Sequence, residues 1–215
     1  AWRWTLAVAG SSWVVAVVVG AFMGTLRTLP NSPFLVRFAN VWVELFRNVP
    51  LLVQIFIWYF VLPKIIPAMQ QIPGFVLVVL ALGFFTSARI AEQVRAGIQA
   101  LPKGQRYAGM AVGFTTAQTY RYVILPMAVR IIFPPLTSES MNLLKNSSVA
   151  FAVSIPELTF YFTQVGEETS QPIVVYIAVC ILYAASAFAV NRVMAFIEKK
   201  IQIPGFVVAG GTGGG

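Results

Sequence analysis

Apolar windows of membrane-crossing length recur along this chain, and that pattern constrains the fold more than any other feature. A helix needs about 20 apolar residues to cross the hydrocarbon core of a bilayer. Thr5 to Leu26 forms one such window, held between Arg3 and Arg27. Val49 to Leu62 reaches the same length when the amphipathic lead-in from Phe38 through Glu44 and Arg47 is added, and Pro73 to Ala88 follows, closed by Arg89. A weaker window runs from Ile131 to Val153, and Pro172 to Val190 is the last, closed by Arg192. Of the 215 residues only 10% are charged and 58% are hydrophobic, whereas a soluble domain carries roughly 25% charge. The predicted class is all-α and integral to the membrane, with five transmembrane helices.

Charge sets the expected orientation. The formal charge is +8, and the cations fall between apolar stretches instead of forming a nucleic-acid-binding patch. With the N-terminus outside and the C-terminus inside, Arg27, Arg37, Arg47, Arg89 and most later cations through Lys199 and Lys200 lie on the inner side. Arg3 and Lys64 remain outside with Glu157, Glu167 and Glu168. The positive-inside rule favours this N-out, C-in topology. Pro63 and Pro67 then mark one outer loop, and Pro30 and Pro33 one inner loop.

Composition also removes most chemistry. There is no His and no Asp, and Cys180 is the single cysteine. Imidazole-based triads, His/Cys metal sites and intramolecular disulfides are excluded. No GxxxxGK[ST] occurs, so ATP hydrolysis by the usual phosphate-binding loop is excluded as well. The expectation is a chain without catalytic activity, metal or cofactor of its own.

The segment from Arg89 to Pro126 is the most informative. Pro102 and Gly104 break it, Tyr107 to Val112 is a short helix candidate, and Gly113 ends that helix. Thr115 or Thr116 is placed to cap a second helix through Val123. The two short helices form an inner-surface knob where Ala108, Gly109 and Ala111 permit close approach and Phe114 offers an apolar anchor. Such a knob suits a helix-in-groove contact with a soluble protein. An amphipathic helix at the lipid interface is the competing interpretation.

These residues resemble the integral membrane permeases of ATP-binding-cassette importers. Their inner loop carries the pattern EAA, three residues, Gly, nine residues, Ile-x-Leu-Pro. Here Tyr107-Ala108-Gly109, Gly113 and Val123-Ile124-Leu125-Pro126 stand at that spacing. The polar amino acid branch is matched further by Lys103-Gly104-Gln105, by Leu143-Leu144-Lys145-Asn146-Ser147-Ser148 and by the run from Glu44 to Gln54. The GQRYAG run is similar to that of glutamate/aspartate permease subunits. Tyr107 and Gly109 depart from the pattern, which has Glu and Ala there, so no role of the family's carboxylate passes to position 107.

The resemblance implies coupling helices seated in a cleft of an ATP-binding subunit, with Gly104, Gln105, Ala108, Gly109, Gly113 and Phe114 in that contact. It further implies two ATP-binding-cassette subunits that carry the ATP and Mg, a second and paralogous permease, and a periplasmic amino-acid-binding protein. The expected setting is the bacterial inner membrane, with the chain crossing it several times and glutamate or aspartate as cargo. Residues 1–205 form the expected permease domain, with the coupling loop at about 92–125. The Gly-rich stretch 206–215 is expected to be a linker or tag.

Within the membrane, ionisable groups mark solute paths or paired charges. Ser138, Glu139, Asn142 and Lys145 are the expected path residues. Glu139 and Asn142 share a helix face, whereas Lys145 is turned about 120° from Glu139. Pro134-Pro135 is expected to kink or interrupt this span. The small stripe Ala16, Gly20 and Gly24 suits close packing within the chain or against another subunit. Gln54 needs a partner at membrane depth, as an interhelical hydrogen bond or a ligand contact. Glu157, Glu167 and Glu168 are expected as solvated loop charges or a docking surface for the binding protein. Two rival functions stay open, an ion-gradient-driven transporter using Glu139 and Lys145, and a membrane scaffold that moves no solute.

Overall fold

A computed structural model describes residues 1–201 of the chain, so the Gly-rich stretch 206–215 lies outside the described residues. Among the described residues every regular element is helical. In chain order these are α1 (Trp2–Leu26), α2 (Pro33–Asn48), α3, α4 (Gly74–Gln99), α5 (Lys103–Ala111), α6, α7 (Leu158–Thr169) and α8 (Pro172–Ile201). Helix α3 is continuous through Leu51–Phe56, a π turn at Ile57–Val61 and Leu62–Ile65. Helix α6 likewise joins Thr116–Thr119, a π turn at Tyr120–Ile124 and Leu125–Asn146. Short 3₁₀ turns occupy Pro67–Gln71 and Ser147–Val153.

Helices α1, α4 and α8 are each long and apolar enough to cross a membrane. The second expected span is not one helix, because α2 and α3 meet at an angle of 104°. Pro50 supplies the physical reason: it has no N–H to offer the Phe46 carbonyl one turn back, and Val49 is already extended. The buried Gln54 repairs the break, since its Nε2 donates to Phe46 O and Val49 O at 2.8 Å each. Its amide thus closes a helix end within the chain.

The third span also differs from expectation. Instead of stopping at Ala88, α4 continues to Gln99 and carries Arg89, Glu92 and Arg95 on its last turns. The second short helix expected through Val123 is the opening of α6. That helix runs unbroken past Pro134 and Pro135, so the tandem prolines do not interrupt it.

The seam between α1 and α4 forms the centre of the packing. A Cβ on Gly20 would lie 2.7 Å from the Ile90 side chain and 2.9 Å from Ser87 O, and one on Gly24 would lie 2.7 Å from Ala91 O. The small stripe therefore serves packing within the chain, letting the two backbones approach closely. Val8, Ala16, Leu82 and Ile90 are buried along this seam, and Ile132 and Leu143 of α6 extend the core. Helix α8 lies on the outside against α6 and α7, with Ile173, Ile181, Phe188 and Phe196 exposed.

Glu157 overturns both expectations made for it, because it is fully buried. Its carboxylate caps α7 by accepting from the backbone N–H groups of Thr159 and Phe160 at 2.9 Å, and Tyr183 donates to it at 2.7 Å. A carboxylate at a helix N-terminus meets otherwise unpaired donors and the positive end of the helix dipole. Glu167 and Glu168 remain exposed.

Candidate functional site

Two sequence signals fix the knob between α4 and α6. Gly113 adopts φ +83°, a conformation that side chains with a Cβ rarely tolerate. Phe114 N donates to Gly109 O at 3.1 Å and Gly113 N to Met110 O at 3.0 Å, closing α5 in a Schellman motif. Immediately afterwards Thr115 and Gln118 form a reciprocal capping box that starts α6. A helix stop at Ala111 and a helix start at Thr116, separated by the four residues 112–115, hold α5 at a fixed angle to α6.

Outward from this turn the surface is apolar. Tyr107, Met110 and Val112 are 65%, 59% and 68% exposed, and Phe114 completes the patch. Among the expected contact residues Gly104, Ala108, Gly113 and Phe114 are exposed, and Gln105 is half-buried. Gly109 is turned inward, where an added Cβ would sit 2.8 Å from Thr119 Cγ2. Its small size serves the α5–α6 contact inside the chain.

The base of the knob is tied to the end of α1. Arg106 Nη2 donates to the Tyr120 hydroxyl at 2.7 Å and to Thr28 O at 3.3 Å, and the same hydroxyl donates to Thr28 O. The Arg106 guanidinium also lies 5.5 Å from the centre of the Tyr120 ring. These contacts join α5 to α6, through the turn and Tyr120, and to the segment that follows α1, through Thr28.

Deeper in the chain, ion pairs join four helices. Arg27 of α1 and Arg47 of α2 meet Glu92 of α4 at 3.1 and 3.3 Å, and Arg89 of α4 meets Glu139 of α6 at 3.1 Å. Arg27 Nε also donates to Asn40 Oδ1 at 2.7 Å. A charge withdrawn from water is costly unless it is paired, and these contacts supply partners for Arg27 and Glu139, whose side chains are 7% and 8% exposed. Arg47, Arg89, Glu92, Gln93 and Glu139 face a cleft of about 300 Å³.

The expected path residues separate in space. Glu139 is buried against Arg89, Ser138 is exposed, and Asn142 is half-buried. Lys145 faces a different pocket of about 240 Å³, lined also by Ser148, Thr159 and Tyr183. The ion-gradient rival needs Glu139 and Lys145 along one route, and this chain directs them into separate cavities. Sequence reasoning missed Arg27, Arg89 and Glu92 as an internal network. No local signal marks these pairs, because Arg27 and Glu92, and Arg89 and Glu139, are distant in sequence.

Comparison with known proteins agrees with this architecture. The model of the family described as binding-protein-dependent transport system inner membrane component matches residues 16–203. The chain is 40% identical to a glutamate/aspartate import permease protein, GltJ, of Escherichia coli (strain K12), over 95% of this chain and 89% of that protein. It is 36% identical to a probable glutamine ABC transporter permease protein, GlnM, of Bacillus subtilis (strain 168), over 92% and 87% of the two chains. Among solved structures, a crystal structure of an amino acid ABC transporter with histidines superposes with a TM-score of 0.79 at 29% identity, covering 93% of this chain and 91% of that one. The chain belongs to the family of inner membrane components of binding-protein-dependent transport systems.

Proposed function

We propose that this chain is the permease subunit of an ATP-driven importer of polar amino acids, with glutamate and aspartate as cargo. The exposed apolar knob of α5 carries the proposal, because Tyr107, Met110, Val112 and Phe114 form a surface that a soluble partner would bury. In this reading two ATP-binding-cassette subunits hold ATP and Mg, and each receives the knob of one permease. Gly104, Gln105, Ala108 and Phe114 lie at that contact, Gly113 sets its angle, and Gly109 supports it from within.

The complete importer pairs this chain with a paralogous permease and takes cargo from a periplasmic amino-acid-binding protein. The permease domain of residues 1–205 crosses the membrane five times, counting the bent α2–α3 pair and α6, with the N-terminus outside and the C-terminus inside. Ser138, Glu139 and Asn142 line the path, whose remaining walls come from the second permease, and Lys145, which faces a separate pocket, lies apart from it. Similarity to a protein named for glutamate/aspartate import supports the cargo class.

Co-purification from native membranes in mild detergent, with partners identified by mass, tests this assignment. Recovery of an ATP-binding subunit and a second permease is expected, with radiolabelled glutamate taken up by the reconstituted complex in an ATP-dependent manner. An intact complex without any ATPase, or ATP-dependent uptake of other solutes only, would overturn the corresponding part.

A further inference from the structure

Two cavities lie beside the base of the knob and along the helices above it. The first is a cleft of about 530 Å³ at the junction of α1, α4 and α5, with Arg27, Thr28, Lys103 and Arg106 in its wall. Among the described residues no carboxylate lines it. Arg27 is only 7% exposed at its side chain and is partly compensated by Glu92, so Lys103 and Arg106 set the positive sign. The second cavity is an apolar groove of about 520 Å³ between α1, α4 and α6, with Ile201 at the end of α8 also in its wall.

Helical periodicity connects them. On α1, Ala21 and Thr25 line the groove, and Thr28 in the turn after the helix lines the cleft; on α4, Ile90 and Val94 line the groove and Ile98 the cleft. Spacings of three and four residues keep these side chains on one face of each helix. The apolar groove and the basic cleft are thus neighbours along α4, where Ile90 and Val94 face one and Ile98 the other, and along α6, where Leu125 and Ile124 do. Basic pockets between membrane helices on the cytoplasmic side suit anionic lipid headgroups.

We propose that these two cavities form one binding site for an anionic phospholipid, with an acyl chain in the groove and the phosphate headgroup against Lys103 and Arg106. The charge of the cleft and the apolarity of the groove select this occupant over a soluble anion, which would leave the groove empty, and over a neutral lipid, which would leave the cations unmatched. Lipid at this position bridges α1, α4 and the base of the α5 knob.

The test is native mass spectrometry of the complex, purified with its partner subunits, delipidated, and titrated with palmitoyl-oleoyl phosphatidylglycerol or the matching phosphatidylethanolamine. Preferential retention of phosphatidylglycerol is expected. Lys103→Gln should reduce that retention about fivefold, the effect of one basic residue near a lipid surface. Ala21→Phe, which fills the groove without touching the cleft, should reduce it by at least about tenfold through lost burial of methylenes. If Ala21→Phe does not assemble, Val129→Phe on the opposite wall provides the same test. Millimolar inorganic phosphate should leave lipid retention unchanged. Equal retention of the two lipids, insensitivity to both the cleft and groove variants, or displacement by inorganic phosphate would each overturn the proposal. Occupation of the groove by the second permease, detected as loss of that subunit from the Ala21→Phe complex without loss of lipid, would overturn it as well.

Discussion

The α1–α4 seam and the α5 knob both depend on glycine, and they use it in opposite ways. Along the seam Gly20 and Gly24 are buried and the space a Cβ would need is already filled, partly by rigid backbone carbonyl oxygens of α4. At the knob Gly113 has nothing within 4 Å of its would-be Cβ, and the residue is needed for its φ of +83°. Seam glycines therefore determine whether the helices assemble, whereas the knob glycine determines the direction in which an assembled protein presents its exposed helix.

Substitutions at the two glycine sites should separate along that line. Gly24→Leu should have the largest effect, since overpacking costs about 1–3 kcal/mol even where neighbours can shift, and the Ala91 carbonyl cannot. Little monodisperse protein is expected from detergent extraction, as measured by size-exclusion chromatography. Gly113→Val comes next, at about 1–3 kcal/mol of backbone strain in the left-handed region. Normal insertion is expected, with ATP hydrolysis by the assembled complex continuing while uptake falls, read as the ratio of the two rates. Wild-type coupling in Gly113→Val, or loss of insertion equal to that of Gly24→Leu, would break the comparison. Thr115→Ala should have the smallest effect, removing one N-cap worth about 1 kcal/mol, and should lower the same ratio less than Gly113→Val does.

The fold was legible where apolarity alone decides the structure. The spans at α1, α4 and α8 follow from hydropathy, and the stop at Gly113 and start at Thr115 follow from local turn chemistry. The continuation of α4 past Arg89 was not legible, because the partners of its charged residues, Arg27, Arg47 and Glu139, are distant in sequence. The break at Pro50 was hidden for a related reason. A proline at membrane depth leaves a carbonyl unpaired, and the side chain that satisfies it, Gln54, is identified only when the bend is seen. Glu157 looked like a loop charge because its partners are backbone N–H groups and the hydroxyl of Tyr183 on another helix.

The candidate site was legible in part. The residue types and spacing of the knob were readable, yet the direction of each side chain was not, so Gly109 reads as surface in the sequence and lies inside in the fold. Glu139 and Lys145 were correctly separated in angle by helical spacing. Their assignment to different cavities depends on which helices pack beside them, Arg89 on α4 for one and the α7–α8 pair for the other.

The most direct measurement is site-specific cross-linking in the assembled complex, in a Cys180→Ser background that removes the single native thiol. With a short thiol-to-amine reagent, Ala108→Cys and Met110→Cys on the exposed face of α5 should form adducts with the ATP-binding subunit. Phe188→Cys on the exposed face of α8 should not. Efficient adducts from α5 in a complex that still hydrolyses ATP are the predicted result. Absence of α5 adducts from an intact complex, or adducts from Phe188→Cys alone, would contradict the claim that the knob is where the motion enters the membrane.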